Sequence, residues 1–171
     1  MAEAVTGMSD ARAVVVTCST RAAAGQYEDE TGPAIVSWLE GRGFEVASQV
    51  VPDGDAVGAA IGAALGVGAD VVITTGGTGV APSDATPEQT RPHLLADLPG
   101  LAEAVRARGV AAGLPTAVLS RGLAGVAASA NATGRALVVN LPGSKGGVKD
   151  GLAVLDGVID HVLDQLHGGA H

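Results

Sequence analysis

Short β-branched runs alternate with helix-like segments along the first half of the chain, and this alternation most constrains how it can fold. The runs lie at residues 13–16, at 44–46 with 50–51, and at 71–73. Between them, apolar residues recur at helical spacing around Ile35 and Leu39, and an alanine-rich stretch follows Asp55. Parallel neighbouring strands need long crossover connections, which helices supply. The order βαβαβ therefore predicts a three-layer α/β/α fold with a mostly parallel central sheet.

The second half of the chain is less regular. Thr86 and Gln89 match a capping box, which predicts a helix beginning at Pro87. A further helix is expected over 101–108, and strands over 117–119, 126–130 and 137–139, two of which pair as a hairpin. One long terminal helix is expected to bury a single apolar face, formed by Val148, Leu152, Leu155, Ile159, Val162 and Leu166.

Length and composition favour one domain. The chain has 171 residues, 47% of them hydrophobic, and no stretch rich in Pro, Ser or charge divides it. We therefore expect a single domain over residues 1–171, with flexible tails at 1–10 and 167–171.

The charge pattern excludes several classes of partner. A formal net charge of −8 argues against a basic face that grips nucleic acid. No apolar run reaches the roughly 18 residues that a membrane span needs. The single cysteine, Cys18, excludes an intrachain disulfide and fits a reducing compartment. A cytoplasmic protein without nucleic-acid or membrane partners is expected.

Two glycine-rich segments follow predicted strands. Glycines at 76, 77 and 79 let main-chain N–H groups approach an oxyanion that a Cβ atom would hold away. The second segment, 141–147, leads from a strand into a helix, whose N-terminus could hold a phosphate with Ser144 as an added donor. The first segment matches neither the Walker nor the dinucleotide-binding fingerprint. Taken singly, the first could be a structural turn and the second only a helix cap.

Two carboxylates occupy comparable places, Asp53 after the second strand and Asp84 after the third. In an open α/β sheet both would face the crevice at the carboxyl ends of the strands. Paired carboxylates near bound phosphates usually hold Mg²⁺ or position a reacting group. The structural alternative is a helix cap or turn for Asp53 and an Asx turn for Asp84.

Other side chains carry weaker signals. Cys18 follows the first strand with no histidine nearby in sequence, so a small buried thiol is favoured over a nucleophile. Trp38 lies at a helical core position. Arg21 and Arg121 could clamp an anion or lie on the surface. The four histidines show no metal-ligand spacing.

Several motifs together resemble one known family. They are Thr74–Gly79, Asp84 with Thr86–Glu88, Leu119–Arg121 and Asn140–Ser144, in that order. In this combination the chain, from about residue 13 to 166, is similar to the MoaB/Mog family of molybdenum cofactor biosynthesis proteins.

The resemblance implies a MoaB/Mog-like molybdopterin-binding fold and a homotrimer that binds molybdopterin. In active members it also implies Mg²⁺ and ATP, from which AMP is transferred to the terminal phosphate of molybdopterin, releasing pyrophosphate. A possible protein partner is the molybdenum-insertion protein of the same pathway. The family's catalytic pair would be Asp53 and Asp84, either of which could hold Mg²⁺. Its substrate-binding positions would be Thr75, Gly76, Gly77, Thr78, Gly79, Pro142, Gly143 and Ser144.

Two positions depart from the pattern. Many relatives carry Arg directly before the second acidic residue, where this chain has Ser83, and many have Ser-Asp after the first strand, where this chain has Ser19-Thr20. The first departure removes a cationic contact to phosphate. It keeps open a second interpretation, a non-catalytic pterin-binding or scaffolding trimer of the same family.

Overall fold

A computed structural model describes residues 10–169 and has one six-stranded sheet. The strands run in the order β2-β1-β3-β6-β5-β4 across it. Their bounds are β1 Arg12–Cys18, β2 Glu45–Val51, β3 Val71–Thr75, β4 Leu94–Asp97, β5 Ala124–Ala128 and β6 Arg135–Leu141. The first three strands and β6 are mutually parallel, whereas β5 is antiparallel to both β6 and β4.

The described part of the chain has seven α-helices, of which the last two follow β6. They are α1 Thr20–Ala23, α2 Thr31–Gly41, α3 Asp55–Gly66, α4 Thr86–Thr90, α5 Pro99–Ala111, α6 Lys145–Asp156 and α7 Ile159–Leu166. Two 3₁₀ turns lie at Arg91–His93 and Pro115–Leu119. Between residues 10 and 169 no helix is both long and apolar enough to cross a bilayer.

The sheet is buried on both faces, which explains its continuous apolar strands. Val15 packs into a cluster with α2, α5, α6 and α7, while its neighbours Val14 and Val16 pack into a second cluster with α3. Successive side chains of a strand point to opposite faces, so one β-branched run supplies both clusters. The predicted α/β/α layers and mostly parallel sheet are confirmed.

The structure differs from the sequence predictions in the second half of the chain. Residues 117–119 were expected to be a strand but end a 3₁₀ turn, whose first residue, Pro115, lacks the N–H that a sheet ladder needs. The expected hairpin forms between β5 and β6. The short antiparallel strand β4, at the sheet edge, was not predicted.

The expected single terminal helix is two helices, because the chain breaks at Gly157 and Val158. The predicted apolar face is nevertheless continuous across the break: Val148, Leu155 and Ile159 are buried in one cluster, with Val162 and Leu166 packed against it. The expected tails lie outside the described residues at 1–9 and 170–171. Residues 167–169 donate backbone hydrogen bonds to the last turn of α7.

Candidate active site

The glycine loop after β3 is wedged between the ends of two neighbouring strands. Gly76 and Gly77 have φ angles of 94° and 69°, which L side chains rarely adopt. A Cβ on Gly76 would lie 2.5 Å from the Cys18 carbonyl oxygen. The Gly76 N–H already donates to the Leu141 carbonyl at 3.0 Å, so this amide is committed to the fold. The Thr75 hydroxyl donates to the Pro142 carbonyl at 2.9 Å, tying the two predicted loops together.

Thr86 holds this loop rather than capping a helix. Its hydroxyl donates to the Gly76 carbonyl at 2.9 Å, and its N–H donates to the Gly77 carbonyl at 3.1 Å. The residue at the N-cap position of α4 is Ala85, with no side-chain hydrogen bond. The predicted capping box is therefore wrong. The physical reason is tertiary: the loop carbonyls lie within reach of the buried Thr86 hydroxyl and take its hydrogen bond.

Asp53 is held by Thr20, the first residue of the short helix α1 that follows β1. Its Oδ2 accepts hydrogen bonds from the Thr20 N–H at 3.2 Å and from the Thr20 hydroxyl at 3.0 Å. The hydroxyl oxygen in turn accepts from the Asp53 N–H at 3.1 Å. The N-cap of α3 is Gly54, without a side-chain hydrogen bond, so Asp53 is not that helix's cap. Thr20 stands where the family resemblance expects aspartate, and here it supplies donors to the Asp53 carboxylate.

Asp84 closes the far end of the glycine loop. Its Oδ2 accepts from the Ala81 N–H at 3.1 Å, while its own N–H donates to the Ala81 carbonyl at 2.9 Å. A Cβ on Gly79 would lie 2.7 Å from the same Oδ2 atom. The carboxylate therefore has a role in the turn, but it accepts from a residue three positions earlier and not from one two positions later, as an Asx turn requires. It lines a cavity as well.

The two carboxylates converge on one cavity of about 230 Å³. It lies where β1 and β3 end, the point at which the order of connection reverses and where open α/β sheets bind ligands. Its walls include the predicted residues Asp53, Asp84, Thr75, Gly76, Gly77 and Gly143. The other predicted residues line a neighbouring cavity of about 190 Å³: Thr78, Gly79, Pro142 and Ser144. The predicted site residues therefore line two adjacent cavities, because the glycine loop runs between them.

Two further carboxylates, at Asp29 and Glu30, line the 230 Å³ cavity and were missed from sequence. Asp29 accepts from the Thr17 hydroxyl at 2.8 Å and from the Gly32 N–H at 3.0 Å. A Cβ on Gly32 would collide with the side chains of Asp29 and Thr17. The signal that could have found Asp29 is its spacing of three residues before Gly32 at a helix start, which is typical of an N-terminal cap.

Arg121 fixes the Asp84 end of the loop. Its guanidinium donates to the Gly79 carbonyl at 2.8 Å and to the Asp84 carbonyl at 2.7 Å, and it pairs with the Glu88 carboxylate. This hydrogen-bonded pair lowers the pKa of Glu88 below its ordinary value and raises that of Arg121. Neither predicted alternative describes Arg121 fully, since it clamps the main chain of the loop.

The remaining candidates have structural surroundings. Burial raises the pKa of the Cys18 thiol to about 12, in agreement with an inert thiol. Arg21 lies 5.7 Å from the centre of the Tyr27 ring. Trp38 is half-buried against the core and donates to Asp156 at 3.1 Å. Within residues 10–169 no three His, Cys, Asp or Glu side chains come together as a metal site.

Comparison with known proteins assigns this architecture to a family. A family model described as "Probable molybdopterin binding domain" matches residues 14–161, most of the chain. The chain belongs to the molybdopterin-binding domain family. The resemblance read from the sequence motifs is thereby confirmed.

This molybdopterin-binding domain has relatives of known name. It is 36% identical over 151 residues to the molybdopterin adenylyltransferase of Pyrococcus furiosus, covering 87% of each chain. It is 35% identical over 161 residues to a molybdenum cofactor biosynthesis bifunctional protein of Synechococcus elongatus, covering 93% of this chain but about half, 48%, of that longer relative.

A solved structure has the same fold as this molybdopterin-binding domain. The molybdopterin biosynthesis Mog protein from Mycobacterium ulcerans matches with a TM-score of 0.84 and 51% sequence identity, covering 91% of this chain and 99% of that one.

Proposed function

We propose that this chain transfers AMP from ATP to the terminal phosphate of molybdopterin and so acts as a molybdopterin adenylyltransferase in molybdenum cofactor biosynthesis. The observation that carries the proposal is the convergence of Asp53 and Asp84, from different loops, on one glycine-walled cavity at the sheet's switch point. Relatives bearing that name align with most of the chain.

In the proposed reaction, an oxygen of the molybdopterin phosphate attacks the α-phosphorus of ATP. The bond from that phosphorus to the oxygen bridging it to the β-phosphorus breaks, and pyrophosphate leaves with the bond's electron pair. The second ionisation of a phosphate monoester lies near pH 6, so the attacking oxygen needs no general base at neutral pH. The catalyst must orient two anions and offset their charge, which is positioning work.

Mg²⁺ is part of the proposal, with Asp53 and Asp84 as its protein ligands. Mg²⁺ is usually bound through one or two carboxylates together with substrate phosphates, so a pair suffices. Room for it comes from the glycines: a Cβ on Gly77 would lie 3.1 Å from Asp53 Oδ1, and one on Gly79 would crowd Asp84 Oδ2. When bound, the ion would offset the charge of the leaving pyrophosphate.

The residues around this pair would fix its geometry. Thr20 donates two hydrogen bonds to Oδ2 of Asp53, which leaves Oδ1 facing Gly77. Arg121 fixes the main chain at Asp84 by a hydrogen bond to its carbonyl. Its guanidinium thereby brings a positive charge to the glycine loop, which has Ser83 where many relatives have arginine. The 190 Å³ cavity lined by Thr78, Gly79, Pro142 and Ser144 is the proposed place for the molybdopterin phosphate.

A homotrimer working in the cytoplasm completes the proposal, with the molybdenum-insertion protein of the pathway as a possible partner. A cytoplasmic location agrees with ATP as co-substrate. Support for self-association comes from four exposed apolar side chains on α5 and the turn after it: Val110, Leu114, Val118 and Leu119.

The adenylyltransferase is favoured over a non-catalytic pterin-binding or scaffolding trimer because both carboxylates are present and line one cavity. Release of pyrophosphate from ATP and Mg²⁺, dependent on added molybdopterin, separates the two. Asp84→Asn should lower kcat by about 100-fold or more, since removing one transition-state contact costs that much.

The asparagine variant should fold normally, because its amide oxygen can still accept from the Ala81 N–H. Circular dichroism melting and molybdopterin binding should therefore match the wild type. If the wild-type protein released pyrophosphate no faster than Asp84→Asn, the adenylyltransferase would be rejected in favour of the non-catalytic scaffolding trimer.

A further inference from the structure

The hydrogen bonds around the 230 Å³ cavity occupy most of its acidic oxygens. Four carboxylates line this cavity, and two of them are already satisfied by the protein. Both oxygens of Asp29 accept hydrogen bonds, Oδ2 from the Thr17 hydroxyl at 2.8 Å and Oδ1 from the Gly32 N–H at 3.0 Å. Glu30 pairs with Lys145 at 2.9 Å, which offsets its charge. The other two carboxylates are therefore the ones left for a cation.

These two, Asp53 and Asp84, each have one carboxylate oxygen committed to the protein. Oδ2 of Asp53 accepts from the Thr20 N–H at 3.2 Å and from the Thr20 hydroxyl at 3.0 Å. Oδ2 of Asp84 accepts from the Ala81 N–H at 3.1 Å. Among residues 10–169, neither Oδ1 atom has a hydrogen-bond partner. Each aspartate thus presents one free oxygen to the cavity.

Thr20 restricts Asp53 more tightly than Ala81 restricts Asp84. A carboxylate oxygen has about two lone-pair sites, and the two Thr20 donors fill both sites on Oδ2 of Asp53. The Thr20 hydroxyl oxygen also accepts from the Asp53 N–H at 3.1 Å, so it bridges the main chain and the side chain of the aspartate. The cavity wall is formed by Asp53 and not by Thr20. Thr20 is therefore a positioning residue, which acts through Asp53.

The number of free oxygens decides which divalent cation such a pair of carboxylates suits. Ca²⁺ takes about six to eight oxygen ligands in a flexible geometry and often binds a carboxylate through both oxygens. Mg²⁺ demands a nearly ideal octahedron, keeps several waters and is usually bound through one or two carboxylates together with phosphates. A carboxylate limited to one oxygen therefore loses more as a ligand for Ca²⁺ than as a ligand for Mg²⁺.

We propose that Thr20 makes the site selective for Mg²⁺ over Ca²⁺ by restricting Asp53 to coordination through Oδ1 alone. This inference rests on the proposed adenylyl transfer and its use of Mg²⁺, and it assigns a determinant of that cation specificity. The restriction comes from the protein before any ion arrives, because the Thr20 hydrogen bonds hold Oδ2 in the folded chain.

Competition for bound Mn²⁺ measures the selectivity without any turnover. The electron paramagnetic resonance signal of free Mn²⁺ gives the amount of ion bound to the protein, and added Mg²⁺ or Ca²⁺ displaces it. The selectivity ratio is the Ca²⁺ concentration that displaces half of the bound Mn²⁺, divided by the corresponding Mg²⁺ concentration. For the wild type, Mg²⁺ should displace Mn²⁺ at the lower concentration, and the opposite order would overturn the proposal.

Asp53→Asn locates the ion. Loss of the carboxylate charge should weaken Mn²⁺ binding about tenfold or more, because ligand charge sets the affinity of such sites. Unchanged Mn²⁺ affinity in this variant would place the ion elsewhere and overturn the proposal.

Three substitutions of Thr20 should change the selectivity ratio in a graded way. Thr20→Asp replaces the hydroxyl donor by a further carboxylate, so the ratio should fall about tenfold, in favour of Ca²⁺. Thr20→Val removes the hydroxyl alone, and a water in its place can yield to an ion, so a fall of about threefold is expected. Thr20→Ser keeps the hydroxyl and should have the wild-type ratio. Equal ratios in the wild type and Thr20→Asp would overturn the proposal.

Thr133→Val is the matched control. The Thr133 hydroxyl also donates to a side-chain oxygen, that of Asn131 at 3.0 Å, but in the turn before β6, at the end of the sheet opposite the cavity. The selectivity ratio of this variant should equal that of the wild type. Circular dichroism melting should show that all the variants are folded. A change as large as that of Thr20→Val would mean that the effect is not local, and would overturn the proposal.

Failure of this inference differs from failure of the adenylyl transfer. Molybdopterin-dependent pyrophosphate release with Mg²⁺, together with a ratio that no Thr20 variant changes, would reject Thr20 as the determinant and keep the adenylyltransferase. The expected shifts in ratio, in a protein that releases no pyrophosphate, would reject the adenylyltransferase and keep Thr20 as the determinant of cation selectivity.

Discussion

At the scale of single residues, the cavity lined by Asp53 and Asp84 also contains the thiol of Cys18, which burial keeps unreactive. Cys18 is 4% exposed, lies beside Asp53 and Gly76, and has a pKa raised to about 12. Because the raised pKa disfavours the thiolate, only about one molecule in ten thousand carries it at pH 8, whereas an ordinary cysteine with a pKa near 8.5 is about a quarter ionised.

We therefore expect native Cys18 to react with iodoacetamide at pH 8 at least about a thousandfold more slowly than the unfolded chain. Mass spectrometry of alkylated protein, with and without denaturant, measures the two rates. The rate should rise about tenfold per pH unit up to pH 10 in the folded protein. Rapid native labelling at pH 8 would show an accessible thiolate and contradict the assignment of an inert thiol.

The two aspartates differ in what surrounds their carboxylates. Asp53 accepts from Thr20 across 33 residues of sequence, whereas Asp84 accepts from Ala81 within its own turn. Sequence could predict the second kind of contact, since short-range turns follow local composition. It could not predict the first, because the two strands that precede Thr20 and Asp53 become neighbours only in the folded sheet.

At the scale of elements, the glycine loop depends on a missing side chain at position 77. Gly77 and Gly25 have similar φ angles, 69° and 73°, but only at Gly77 would a Cβ meet other atoms, those of Thr86 and Asp53. At Gly25 nothing lies within 4 Å. Comparing an alanine substitution at Gly25 with one at Gly77 therefore separates the cost of backbone strain from the cost of steric conflict.

Gly25→Ala should lower the free energy of unfolding by about 1 kcal/mol through left-handed backbone strain alone. Gly77→Ala should lower it by about 3 kcal/mol, because overpacking adds to the strain, and should also reduce pyrophosphate release. Urea unfolding followed by circular dichroism gives both values. Equal losses would mean that the loop relaxes around the methyl group.

Asn140 connects three elements beneath the loop. Its amide NH₂ donates to the Thr74 hydroxyl of β3 and the Thr90 hydroxyl of α4, both at 2.9 Å, and its oxygen accepts from the Leu123 N–H at 3.0 Å. Thr90 donates to the Thr86 carbonyl at 2.7 Å, and Thr86 in turn holds Gly76. The chain of hydrogen bonds thus runs from the end of β6 to the glycine loop.

Asn140→Ala should cost about 2–3 kcal/mol of unfolding free energy, since the buried partners lose hydrogen bonds that water cannot easily replace. Asn131→Ala is the matched control: Asn131 also makes several hydrogen bonds but is half-buried in a surface turn, so about 1 kcal/mol is expected. The same urea titration compares the two. A larger loss at Asn131 would contradict the central position assigned to Asn140.

At the scale of the whole molecule, the proposed trimer predicts that one apolar surface matters more than another. Val118 and Val67 are similarly exposed, 61% and 66%, but Val118 lies in a segment with two other exposed apolar residues, Leu114 and Leu119, whereas Val67 stands between two glycines. Contiguous exposed apolar side chains are typical of subunit contacts, whereas scattered ones are ordinary.

Light scattering after size-exclusion chromatography should give three times the mass of the chain for the wild type and for Val67→Asp. Val118→Asp should shift the mass toward that of the monomer, because an unpaired charge in an apolar contact is costly to bury. A monomeric wild type would contradict the trimer, and a trimeric Val118→Asp would place the contact on another surface.

Periodicity in the sequence determined the layers of this fold. The β-branched runs and the helical spacing around Ile35 and Leu39 depend on local geometry, because apolar residues must share a face to be buried together. The two glycine loops and both aspartates could also be placed, since strands of a parallel sheet end at the same edge.

Tertiary structure decided what local patterns could not carry. Thr86 has the sequence of a cap, yet distant loop carbonyls take its hydrogen bond, and residues 117–119 have β propensity but form a 3₁₀ turn. The glycine loop divides the site into two adjoining cavities only once the sheet has formed. Trp38 and Lys149, more than a hundred residues apart, line one groove because α2 packs against α6. Such contacts depend on how whole elements pack, so no local period in the sequence encodes them.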